Sequence, residues 1–150
     1  MRSQSLFAAL VWCGGVALPA SANAQARRAA IIPFVLSDTV DQRLAMTLRA
    51  ALVQSQADVK MTSKHDLEST LKTEGPDTLS WLDLRELGKL LRVDVVVGVH
   101  SCGRKSCVWV LADRLVWPSS PDTMRFQGSE WIAAATDTLA RRFFQKQPDN

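Results

Sequence analysis

The sequence predicts a mixed α/β fold, a mixed sheet with helices packed on it in the order β-α-β-α-α-β-β-β-α. Three observations carry this expectation. AAIIPFVL (29–36) and VDVVVGVH (93–100) are short apolar runs rich in β-branched residues, with the length and composition of buried strands. Between them stand segments with leucines at helical spacing, two of which open on Ser-x-x-Asp. After them CVWVLADRLVW (107–117) returns across the four residues GRKS, which predicts an antiparallel hairpin. Strands separated by helices favour parallel pairing and the late hairpins antiparallel pairing, so the sheet is expected to be mixed.

Each element has its own reason. In AAIIPFVL, Pro33 removes one ladder donor, so the strand should end or bulge there. SDT then supplies N-cap candidates for VDQRLAMTLRAALVQSQ, where Val40, Leu44, Leu48, Ala51 and Leu52 fall on one helical face. DVKMTS (58–63) alternates as a strand does, with Val59 and Met61 on one side, and runs into Ser63-Lys-His-Asp66, a capping box with Asp in place of Glu. The helix that follows presents Leu67 and Leu71 and stops at Gly75 and Pro76. Ser80 and Asp83 open the next helix, whose buried stripe is Leu84, Leu87 and Leu91, with Trp81 and Leu90 beside it. VDVVVGVH is apolar throughout and reads as a central strand covered on both faces. PSSPD is a turn, TMRFQGS a weaker last strand, and Glu130–Phe144 a helix with Ile132, Ala135, Leu139 and Phe143 inward.

The N-terminus addresses location. MRSQS carries one Arg, LFAALVWCGGVALPA is apolar, and ASANAQA offers small residues at several −3 and −1 positions. That is the pattern of a secretory signal peptide, with cleavage expected after Ala24 and the bonds after Ala22 and Ala26 as alternatives. An anchor would need roughly 20 continuous apolar residues, more than this run supplies. Cys13 follows Trp12 inside the apolar stretch, a context that argues against lipidation.

Of the 150 residues, the first 24 hold one of the 18 basic side chains and none of the 15 acidic ones. The remaining 126 residues then carry 17 basic and 15 acidic groups, +2, and suit one domain spanning residues 25–150. So small a charge makes no electrostatic case for nucleic acid. Nor is membrane insertion of the mature chain expected. The Arg27-Arg28 and Arg141-Arg142 pairs read as solvated flanks.

HSCGRKSC (100–107) holds two of the three cysteines. Opposed across a hairpin, Cys102 and Cys107 would sit about 4.5–5.5 Å apart, within disulfide range. An oxidising compartment makes that bond the default, and so small a loop gains roughly 2 kcal/mol from it. Two other readings stand beside it. His100, Cys102 and Cys107 offer three soft metal ligands, with no fourth evident. A redox pair is the second, although such pairs normally use Cys-x-x-Cys at a helix N-terminus. Hydrolase and phosphate-loop motifs do not occur, and in His65-Asp66 the acid has a capping role, so no catalytic residue is expected. Trp109, Trp117 and Phe126 lie on the late strands, either as core under the last helix or as an exposed patch for a partner.

AAIIPF, SKHDLESTLKTEG, LRELGKLLRVDVVVGVH and VLADRLVW, taken in this order, resemble the amino-terminal domain of the periplasmic protein TolB and its structural relatives CsgG, LpoB and FlgO. The resemblance spans nearly all of residues 29–145 and rests on hydrophobic patterning and caps, so it speaks to fold more than to activity. It implies a periplasmic interaction domain that binds other envelope proteins and is not a catalyst. The resemblance does not extend to the β-propeller that follows the domain in TolB, the lipidation context of CsgG and LpoB, or the long amphipathic insertions of CsgG. The expected function is therefore a non-enzymatic module without cofactor that binds a cell-envelope protein. The alternative is a periplasmic metal-binding or thiol-active protein using His100, Cys102 and Cys107.

Overall fold

The computed structural model describes residues 27–55, 59–74, 78–103, 107–116 and 120–144. The expected signal segment with Cys13, the stop at Gly75 and Pro76, and Trp117 lie outside the described residues. Five strands and four helices follow the predicted order: β1 (Arg28–Pro33), α1 (Thr39–Ser55), β2 (Lys60–Met61), α2 (Lys64–Glu74), α3 (Trp81–Leu90), β3 (Val95–Ser101), β4 (Cys107–Arg114), β5 (Asp122–Gln127) and α4 (Trp131–Leu139), which runs into a π-helical turn, Ala140–Phe144. They form one sheet of order β2-β1-β3-β4-β5. β1 is parallel to β2 and β3, whereas β3–β4 and β4–β5 are antiparallel. The apolar run 95–99 is thus the central strand, as its composition required.

Alternation along the strands splits the core in two. Ala29, Ile31, Val95, Val97, Val99, Val108 and Val110 face α1 and α4 and pack with Leu48, Leu52, Ala135 and Leu139. Ala30, Ile32 and Val96 face the other way and pack with Leu67, Leu79 and Leu84. Gly98 belongs to this second face. A Cβ there would fall inside the van der Waals envelopes of Leu84 and the Phe34 ring, so glycine is what lets both lie on β3.

The caps are as written in the sequence. Asp38 accepts from the Val40 N–H at 2.7 Å and Ser63 Oγ from the Asp66 N–H at 3.0 Å. Ser80 and Asp83 form a reciprocal capping box on α3. The Ser80 hydroxyl and N–H hold the Asp83 carboxyl below its ordinary value. The sign follows directly. A depressed carboxyl stabilises the fold above its unfolded value, and that support is lost as pH falls through the lowered one.

Four expectations are corrected. Val40 is exposed, because Asp41 takes the inward position at the start of α1, followed by Ala45, Leu48 and Leu52. Leu90 is 69% exposed, since α3 seats on the sheet through Leu84 and Gly88. β2 contracts to two residues at the sheet edge. β4 ends at Arg114, and Leu115 and Val116 lie in a turn beyond it, so the strand is shorter than CVWVLADRLVW suggests.

Candidate functional site

The two faces of the sheet are covered unequally. α1 and α4 lie over one face out to β5, where Phe126 packs against the core with Trp131 and Phe144. On the other face, cover ends partway along β4. There Asp113 is buried and ion-paired to Arg85 of α3 at 2.9 Å, and Leu111 is half-buried. Trp109 is 41% exposed. Beside them, Thr123, Arg125 and Gln127 of β5 are exposed. Phe126 and Trp109 therefore sit on opposite faces, since the register pairs Val108 with Phe126 and Trp109 with Arg125. Of the three aromatics singled out from the sequence, Trp109 alone stands on this open face among the described residues.

The same register sets His100, Trp109 and Arg125 in one row across β3, β4 and β5. Each end of the row makes a polar contact that fixes it. Asp41 has no exposed surface, yet its Oδ2 accepts from the Val35 N–H at 3.2 Å and contacts His100 Nδ1 at 2.7 Å. Its Oδ1 accepts from the Ser101 N–H at 2.8 Å. An ionised carboxylate can only accept, so in this contact Nδ1 is the donor. The Phe34 ring supports the imidazole at 6.1 Å between centroids. At the other end, Arg125 donates Nε–H to Cys107 Sγ at 3.0 Å.

Cys102 and Cys107 are joined in a disulfide, with Cα atoms 5.2 Å apart, and the Cys102 N–H donates to the Cys107 carbonyl at 3.1 Å. With both sulfurs bonded to each other, the alternative ligand set of His100, Cys102 and Cys107 has no thiolates to offer here. Replacing both cysteines with Ser should lower stability by about 1–3 kcal/mol and keep the far-UV spectrum. Recovery of two freely alkylated thiols from protein purified without reductant would refute the bond.

Sequence reasoning pointed to Trp109, His100 and the cysteines, and missed Asp41 and Arg125. Asp41 does leave a signal, an acid at i relative to Ala45, Leu48 and Leu52 on the inward face of a helix. Arg125 leaves none, because its place depends on the β4–β5 register.

Fold and surface together define a small α/β domain with a five-stranded mixed sheet, half open on one face. No family model matches the chain, and no curated protein matches it. Among solved structures, it is similar to the lipoprotein GNA1162 from Neisseria meningitidis, at 14% identity and a TM-score of 0.46, over 79% of this chain and 99% of that one. It is also similar to PelC from Paraburkholderia phytofirmans, solved as a dodecamer, at 10% identity and a TM-score of 0.40, over 81% of this chain and 89% of that one. At these values neither likeness bears on what the open face binds. No helix of the described residues is long and apolar enough to cross a membrane.

Proposed function

We propose that this chain is a non-enzymatic interaction module of the bacterial cell envelope, with a TolB amino-terminal-domain-like fold, exported by its N-terminal segment. The open half of the sheet is its binding surface for another envelope protein. The observation that supports this best is Trp109, a large aromatic left 41% exposed on an interior strand, in one row with His100, held by Asp41, and Arg125, held at Cys107. Trp and Arg are the residue types that most often dominate protein–protein binding energy, and both occur in this row.

A photo-crosslinking amino acid in place of Trp109, with Val53 on the opposite side of the sheet as control, tests the surface in intact cells. An adduct with an envelope protein should form from position 109 and not from 53. Trp109→Ala should weaken capture of that protein by about 1 kcal/mol or more, with the melting transition retained. Adducts from position 53 alone would move the binding surface to α1. Periplasmic protein should begin within two residues of Gln25 on N-terminal sequencing, and full-length chain in membranes would count against export.

A further inference from the structure

Beyond the open face lies an open edge. β5 pairs with β4 on one side, and no strand flanks its other side among the described residues. An unpaired edge is a template for another extended chain. Its side chains state what chain fits. Thr123, Arg125 and Gln127 point to the open face, with the only charge in the middle. Met124 and Phe126 point to the other face, into the core beneath α4. A strand laid along β5 would alternate likewise, placing apolar residues beside Met124 and Phe126 and one side chain directly opposite Arg125.

We infer that β5 accepts an extended acidic segment of the envelope partner as a sixth strand, with an Asp or Glu opposite Arg125 and an apolar residue on each side of it. This rests on the interaction-module reading and names the chemistry of the partner. Arg125 is suited to the task. Its Nε–H is given to Cys107 Sγ and the residue is exposed, so a carboxylate on an added strand can meet its Nη groups. The Asp122 carboxylate at the start of the strand is engaged by Arg142 at 3.0 Å and does not compete. A second copy of this chain fits less well. In the antiparallel register centred on position 125, two β5 edges would oppose Arg125 to Arg125, a like-charge pair that destabilises the ladder.

The test uses two capped nine-residue peptides that share an alternating Ser/Val sequence and differ only in a central Glu or Lys. Backbone amide exchange and chemical shifts of the folded protein report binding. The Glu peptide should protect β5 amides and bind at least five-fold more tightly than the Lys peptide. Arg125→Glu should reverse that order, and the reversal itself shows that the variant is folded. Equal binding of both peptides, an unchanged preference in Arg125→Glu, or protection away from β5 would overturn the inference. Adducts formed from position 109 that are indifferent to Arg125→Glu would leave the module standing and sink the acidic strand alone.

Discussion

Arg85→Ala should destabilise the domain by about 3–5 kcal/mol, the cost of removing one partner of a buried ion pair. Asp113 lies on β4 with a fully buried side chain, and its recorded ion pair is with Arg85 at 2.9 Å, whose own side chain stays 28% exposed. Solvent screens the arginine and not the aspartate, so the loss falls on Asp113. A domain of this size has about 5–15 kcal/mol in total, so the variant should melt far below the parent. Asp113→Leu together with Arg85→Met removes both charges and keeps the volume, and it should cost less than Arg85→Ala alone. Urea unfolding of the three proteins decides the matter. A loss under 1 kcal/mol for Arg85→Ala, or a double variant worse than the single, would mean that the Arg85–Asp113 pair is not what holds α3 to β4.

The order of elements could be read from the sequence because each was signed locally. The capping residues Asp38, Ser63 and Ser80 mark helix starts by hydrogen bonds that span only two or three residues. The apolar run 95–99 marks a strand buried on both faces by composition alone. What failed depended on distant partners. Val40 belongs to the helical face by spacing, yet the N-terminal turn of α1 meets the ends of β1 and β3, whose free N–H groups call for the Asp41 carboxylate. CVWVLADRLVW alternates as one strand to its end, yet Leu115 leaves the ladder to pack in the second core cluster.

The candidate surface was half legible for the same reason. Cys102 and Cys107 are five residues apart, so their pairing is local and needs no reference to the rest of the fold. Trp109 as an exposed aromatic could not be told from Phe126 as a core one. Both sit on strands, and only the register of β4 against β5 assigns them to opposite faces. That register is set by burial of Val108, Val110 and Met124 under α1 and α4, a tertiary fact.

Asp41→Ala should cost about 3–4 kcal/mol, and the loss should be local before it is global. The carboxylate ties the end of β1, the start of α1 and the end of β3 through the Val35 N–H, the Ser101 N–H and His100 Nδ1. Removing it leaves two part-buried backbone donors without their acceptor, each worth about 1–3 kcal/mol. It also takes a negative charge from the first turn of α1, where the helix dipole favours one. Asp41→Asn keeps one accepting oxygen and should lose less, about 2 kcal/mol. His100→Ala removes a side chain that is 39% exposed and leaves both backbone bonds intact, so it should be the mildest, about 1 kcal/mol. Hydrogen exchange should show early opening at Val35 and Ser101 in Asp41→Ala and not in His100→Ala. If His100→Ala proved as costly as Asp41→Ala, the imidazole rather than the carboxylate would be the tie. If the predicted order holds, His100 is free to be spent on a partner, because the fold beneath it is secured by Asp41.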